Sequence, residues 1–415
     1  MNEITDTAPR TLLPAAKPAT VTEPAAVEPA FTGDEYAAVH DERLSETLDL
    51  DTWRPGSDLV EMQERVRQEI TEALEQEKNT QRYIREQIFP ALRERSVPEG
   101  GVYAAPLERV EKIQRQLLFN GAVEACDGTV ATHDTLPVTI TQIGVCLVSY
   151  QGDQGSWVHR LFRRDLRSKS GGLVEETMKL LERRYERGAL DQESTRDRLS
   201  SLARRGIMAY AERAILLHRS DALWRLGHGS PTPYELVTGS GMPELLRKSL
   251  ELMREFVIGH QRFVFVPSAT AARHLLTIGD ALRPLEYAIV DTQQETLSRI
   301  AEGHYRGQEW AGLQAAVREF VDDCGDQILV GIYRASLHAP PQLFYAHVDY
   351  VHEAALIAMA DSLLQEHRGF PMLIDLAHTF CSTTFGAEAF SALTQLAYAE
   401  AGAPFRYLSE RKTRR

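Results

Sequence analysis

A change of hydrophobic period, about a third of the way along, constrains this chain more than any other feature. Before residue 115 the apolar residues recur every three or four positions, the spacing of an amphipathic helix. Leu59, Met62, Val66, Ile70 and Leu74 form one such stripe, and Ile84, Ile88 and Leu92 continue it. From 138 to 150 the period becomes two: Val138, Ile140, Gln142, Gly144, Cys146 and Val148 fall on one face of an extended strand. A short strand at 123–129 precedes it. A turn at 151–155 and a third extended run at 157–162 follow it. Three strands on short connections make an antiparallel meander.

The helical period then returns, at 173–187 and 199–217, and short strands interrupt it. The run 234–237 reads as a strand, 243–256 as a helix opening on Pro243, and 263–266 as another strand. Parallel strands need helical crossovers, so this half of the sheet is expected to be parallel. An antiparallel meander followed by β-α-β-α-β is the plan of the ribonuclease H-like fold, an α/β mixed sheet flanked by helices. The last third adds strands at 327–333 and 343–348 and helices at 352–367 and 372–380.

The expected organisation has four parts. Residues 1–55 form an acidic Ala/Pro-rich leader with too little apolar surface to offset its chain entropy, so it is expected to be disordered. Residues 56–114 form a helical arm, opened by the capping-box pair Asp58 and Glu61. Residues 115–402 form the main domain, and 403–415 a basic tail. No apolar run approaches the roughly 18 residues of a membrane span. The N-terminus lacks a basic start followed by an apolar core, the mark of a secretory signal. Cys126, Cys146, Cys324 and Cys381 form no CxxC pair, which fits a reducing cytoplasm better than a disulfide framework.

The net charge of −13, taken alone, disfavours nucleic acid as a partner. It is unevenly spread. Residues 1–50 carry ten acids and three bases, whereas 160–205 carry thirteen Lys/Arg and eight Asp/Glu. Phosphate-backbone contact is therefore expected from the run at the end of the meander, through Arg160, Arg163, Arg164, Arg167 and Lys169.

Asp127 ends the first strand just before Gly128, where a carboxylate points over the sheet edge. Glu212 lies mid-helix at the edge of an apolar stripe and needs a partner there, either an ion or an arginine such as Arg205, Arg213 or Arg219. Carboxylates from separate elements can hold Mn²⁺ or Mg²⁺ for phosphodiester hydrolysis. The fourth strand should supply another, yet Thr238-Gly-Ser-Gly241 has none, and Glu235 is taken as the third ligand. His378 shares a helix face with Asp375, which could orient its imidazole. The group His347, Asp349, His352 and Glu353 lacks the spacing of a helical zinc site. Ser168-Lys-Ser-Gly-Gly lacks that of an ATP-binding loop.

Several of these pieces together resemble the NurA-type nucleases. Phe119-Asn-Gly-Ala-Val-Glu-Ala-Cys-Asp127-Gly128-Thr129 is similar to their first motif, an Asp-Gly-Ser/Thr ending the first strand. The Arg-rich helix carrying Glu212 is similar to their second. Gly369-Phe370-Pro371-Met-Leu-Ile-Asp-Leu-Ala377-His378 resembles their C-terminal Gly-Tyr-Pro…Ala-His. The likeness spans about residues 115–400. It implies a ribonuclease H-like deoxyribonuclease using Mn²⁺ or Mg²⁺, a homodimer working with a HerA-type hexameric ATPase in DNA end processing or phage defence. It also implies that Asp127 and Glu212 bind metal and that His378 assists at the phosphate. Thr238 stands where the family has Asp, which raises an alternative: a non-catalytic adaptor that keeps the fold and the ATPase contact.

Overall fold

The computed structural model describes residues 33–40, 42–53, 59–134, 139–151, 157–162, 191–269, 272–303, 310 and 312–405. The chain divides into two units, 1–76 and 77–415. In the first, part of the expected disordered leader is helical, at Gly33–His40 and Leu44–Thr47. Local bonds explain the correction. The Tyr36 and Thr47 hydroxyls lie 3.0 Å apart, and Trp53 Nε1 donates to the Thr47 carbonyl at 2.9 Å. Residues 1–32 lie outside the described residues. Helix α1, Leu59–Tyr83, runs across the join of the two units. Its stripe of Met62, Val66, Ile70 and Leu74 is about half exposed along its length.

The second unit is built on one nine-stranded sheet. Its strands are β1 Gly101–Ala104, β2 Val123–Asp134, β3 Thr139–Val148, β4 Trp157–Phe162, β5 Trp224–His228, β6 Phe263–Val266, β7 Glu286–Thr292, β8 Ile328–Arg334 and β9 Gln342–His347. The spatial order is β1-β7-β8-β9-β6-β5-β2-β3-β4. Within it, β4-β3-β2 is the antiparallel meander, and β5 and β6 continue parallel to β2. These five strands follow the ribonuclease H-like plan. Strands β9, β8, β7 and β1 extend the sheet, antiparallel throughout. The strand β1 falls inside the segment expected to be a helical arm, so that segment contributes to the sheet through β1.

One strand was expected in the wrong place. Tyr234–Val237 is a helical turn, and the strand beside β2 is Trp224–His228. Thr238 is the C-cap of that turn, its hydroxyl bonded to the Tyr234 carbonyl at 2.8 Å. Pro233 explains the error: its fixed φ starts a helix as readily as an extended run.

Both faces of the central strands are buried, and the two-residue period sorts them. In β6, Phe263 and Phe265 face one core while Val264 and Val266 face the other. The Phe side packs under helices α2 Asp191–His218, α3 Pro243–Arg254 and Leu313–Cys324. The Val side packs under α4 Val351–Ser362 and α5 Met372–Phe385. Helix α5 lies very close to the sheet. A side chain at Gly144 on β3 would collide with Phe385. Gly144→Val is therefore expected to destabilise the protein by roughly 1–3 kcal/mol, read as a lower urea midpoint.

A buried carboxyl anchors the same helix. Asp361, at the end of α4, accepts from the Leu373 N–H at 2.8 Å and from the Tyr150 hydroxyl at 2.5 Å. Burial pushes its carboxyl up to about 7, against the pull of those two bonds. Its folded pKa lies above its unfolded one, so this contribution to stability is full at acid pH and is lost as pH rises through about 7. Thermal stability is expected to fall between about pH 4 and pH 7, and Asp361→Asn to flatten that slope, as measured by calorimetry across the range.

Among the described residues, no helix is long and apolar enough to cross a membrane.

Candidate active site

The site sits at a step in the sheet. Strand β5 pairs with β2 only from Val123 to Cys126, and β2 then runs on alone on that side. Asp127 is the first residue beyond the paired stretch. It shares a face with Val123 and Ala125, which turns it towards α5, and it is only 3 % exposed. Its Oδ2 lies 2.7 Å from His378 Nδ1, and its Oδ1 lies 3.2 Å from His228 Nδ1. One carboxylate thus holds two imidazoles, one from α5 and one from the end of β5.

Glu212 reaches the same step from the opposite face, on α2. Gly128 makes its room: a Cβ there would stand 2.5 Å from Glu212 Oε1. The other oxygen, Oε2, takes a hydrogen bond from Arg213 at 2.8 Å. Burial raises the Glu212 carboxyl, Arg213 opposes that rise, and the nearby Asp127 charge adds to it. His228 is also raised, mainly because its ring is bonded to Asp127. The far nitrogen of His228 meets the Ser268 hydroxyl at 3.0 Å.

Arg213 ties these parts together. It is 4 % exposed in its side chain. Its guanidinium donates to the Ala209 carbonyl at 3.1 Å, to Glu212, and to the carbonyls of His228 at 3.2 Å and Ser230 at 2.6 Å. It also lies over the Phe265 ring at 5.4 Å. One cation thereby links the carboxylate of α2 to the turn that ends β5.

Of the expected site residues, the structure brings Asp127, Glu212 and His378 together. Glu235 lies elsewhere: it sits on the Tyr234–Val237 turn and pairs with Arg205 at 3.8 Å. Its expected place beside Thr238 on a strand goes with the misplaced strand. Asp375 does not orient His378. It is bonded to Gln365 at 2.6 Å and to Arg368, and Asp127 holds the imidazole instead. His352 is bonded to the Tyr287 hydroxyl at 2.9 Å and to Glu99 at 3.1 Å, while His347 accepts the Asp349 N–H at 3.2 Å. The two histidines do not converge. Arg160 is on β4, beside the Phe162 ring at 5.5 Å. Arg163, Arg164, Arg167 and Lys169 lie outside the described residues, as does the helix expected at 173–187.

Sequence reasoning missed His228. Its signal was Trp224-Arg-Leu-Gly-His228-Gly-Ser230, a short apolar run ending in Gly-His-Gly. Residue 228 holds the strand-end position that Thr238 was thought to occupy. An imidazole stands there in place of a carboxylate.

The donor chemistry suits one divalent ion. Asp127 and Glu212 offer hard oxygens, while both ring nitrogens of His228 are engaged, by Asp127 and by Ser268. Among the described residues, no group of three His, Cys, Asp or Glu side chains stands ready in metal-binding geometry.

No protein-family model matches the chain, and no curated protein does. Solved structures that resemble it include the NurA nuclease from Sulfolobus solfataricus, at 11% identity and a TM-score of 0.41, over 83% of this chain and 99% of that one. A NurA structure with manganese aligns at 9% identity and a TM-score of 0.39, over 71% of this chain and 97% of that one. An endonuclease V from Bacillus subtilis aligns at 9% identity and a TM-score of 0.28, over 67% and 92%.

Proposed function

We propose that this protein is a nuclease that hydrolyses phosphodiester bonds in DNA with the help of Mn²⁺ or Mg²⁺. One observation carries the reading: Asp127, His228, Glu212 and His378, from four separate elements, meet at the step between β2 and β5. Asp127 and Glu212 would hold the ion, with His228 beside them bonded to Asp127. A bound ion would polarise the phosphate and activate a water. The chain's own residues do the rest. His378, with 62% of its side chain exposed and its Nδ1 on Asp127, has its other ring nitrogen available to pass a proton at the phosphate. Arg213 fixes Glu212 and the β5 turn.

The adaptor alternative drew on Thr238. That residue caps a helical turn, and the strand end beside Asp127 carries His228, so a fourth-strand carboxylate is still missing and the alternative keeps its ground.

The test is cleavage of linear DNA by the full chain with Mn²⁺, with Mg²⁺, and with a chelator. Cleavage in metal that stops with chelator is expected. Cleavage undiminished by chelator would overturn the metal dependence, and no cleavage under any condition would overturn the nuclease reading.

The motif resemblance supports two finer proposals: a homodimer, and a HerA-type hexameric ATPase as partner in DNA end processing or phage defence. The half-exposed stripe on α1 offers apolar surface to a second copy. Arg160 and the basic residues that follow it are proposed to contact the DNA backbone.

A further inference from the structure

We propose that Asp127, His228 and Ser268 form a relay that hydrolyses small carboxylic esters, with the Ser268 hydroxyl as the attacking group. This activity goes beyond the metal-dependent reading above, which makes no use of Ser268.

Three neighbouring parallel strands bring the relay together. In the register of β2, β5 and β6, Cys126 is level with Gly227, and His228 is level with Val266. Asp127 and His228 therefore stand side by side, and Ser268 follows two residues after β6 ends. The carboxyl edge of parallel strands is where open α/β sheets take their ligands. Asp127 Oδ1 lies 3.2 Å from His228 Nδ1, and His228 Nε2 lies 3.0 Å from Ser268 Oγ. An ionised carboxylate can only accept, so Nδ1 carries the proton. In the neutral ring Nε2 is then the acceptor, and the Ser268 hydroxyl donates to it. The Phe370 ring stands edge-on to the imidazole at 6.2 Å and helps to hold it. A hydroxyl on a base that a third group orients is the arrangement of nucleophilic catalysis, and it is recognised by geometry, not by sequence position.

The surroundings select the substrate. Ser268 is exposed, so a substrate can reach it and a short acyl group would face solvent. The N–H groups of Ser268 and Ala269 donate to no group among the described residues. They are donors beside the nucleophile for a carbonyl oxygen that gains charge. A phosphodiester spreads its charge over more oxygens and asks for a cation. The cation nearby, Arg213, is committed to Glu212 and to three backbone carbonyls. The reaction balances without a further reagent. Ser268 Oγ bonds to the ester carbon as its proton passes to His228 Nε2. The ester C–O bond breaks, and the alcohol leaves with that proton. Water then attacks the acyl-serine, gives a proton to Nε2, and releases the acid as Ser268 regains its hydrogen. An ion on Asp127 would compete with the imidazole for the same carboxylate, so the relay belongs to the metal-free protein.

The experiment treats the full chain, in chelator, with a fluorophosphonate and separately with p-nitrophenyl acetate, and locates any adduct by peptide mass spectrometry. One adduct per chain, on Ser268, is expected, together with ester hydrolysis that Ser268→Ala abolishes. His228→Gln, checked for folding by circular dichroism, is expected to slow the labelling of Ser268 by about 10²-fold or more. Should that variant not fold, the isosteric Asp127→Asn takes its place, with labelling slowed at least tenfold. No adduct on Ser268, or ester hydrolysis that survives Ser268→Ala, would overturn the proposal. Labelling of Ser268 at an unchanged rate in the folded variant would show a serine that the imidazole does not activate, and would overturn it equally. Either failure leaves the metal-dependent reading standing, and an absence of DNA cleavage in metal leaves the relay standing.

Discussion

Asp127→Asn is expected to lower DNA cleavage by about 10³-fold or more in single-turnover assays with Mn²⁺. The carboxylate does two jobs in one place. It would supply an oxygen to the ion, and it holds Nδ1 of both His378 and His228. An amide keeps the shape and loses the charge. It also turns an NH₂ group towards one of the two rings, where a second donor repels. His378 then loses the partner that orients it on α5. His228, raised by its bond to Asp127, should titrate nearer its ordinary value in the variant. Imidazole proton resonances followed against pH would report this without any reference to cleavage. The fold should survive, since the substitution is isosteric. Cleavage within tenfold of the wild type would dismiss Asp127 from the chemistry.

Arg213→Ala should cost about 3–5 kcal/mol of folding stability, the largest single loss in the region. The arginine is almost wholly enclosed, and Glu212 beside it has only 12% of its side chain exposed. Deleting the guanidinium leaves a buried carboxylate without its counter-charge. It also strips the carbonyls of Ala209, His228 and Ser230 of donors. Burial already raises the Glu212 carboxyl, and Arg213 is the first influence opposing it. Without Arg213 the carboxyl should rise further and take a proton more readily. The loss should therefore be smaller at pH 5 than at pH 8, and millimolar Mn²⁺ should restore part of it by neutralising Glu212. Denaturant unfolding at the two pH values, with and without metal, checks all three statements. A loss below 1 kcal/mol would show that water enters the pocket and replaces the pairing.

The two effects separate cleanly. Asp127→Asn removes chemistry from an intact site, and Arg213→Ala removes the frame that holds Glu212 and the β5 turn together. Gly144→Val belongs to the second kind. It should also lower cleavage, because Phe385 and His378 ride on the same helix.

Hydrophobic period and turn chemistry alone determined a good deal of this protein. The alternation at 138–150, the strand at 263–266 and the helix opening on Pro243 each follow from which side chains must share a face, a property of the local chain. The order of those elements was enough to indicate the ribonuclease H-like sheet. Asp127 and Glu212 were legible as charges that an apolar strand and an apolar helix face do not carry without reason, although β2 runs on past Asp127 to Asp134 where the sequence was read as ending it. The motif around Pro371 pointed to His378. Tertiary structure decided the rest. Residues 234–237 are as apolar as a strand, and only the pairing of Trp224–His228 with β2 shows which run lies beside Asp127. Asp375 is three residues from His378 and shares its helix face, yet the nearby Arg368 and Gln365 take it. Asp127 takes the imidazole from 251 positions away. The reading of Glu212 as an ion-pair residue holds through Oε2 and Arg213, and its proposed contact with an ion would fall to Oε1, which faces Gly128. No local pattern encodes which distant groups a folded sheet brings to one step in its edge. That depends on strand register and helix packing, where each carboxylate takes the partner that offsets the most desolvation.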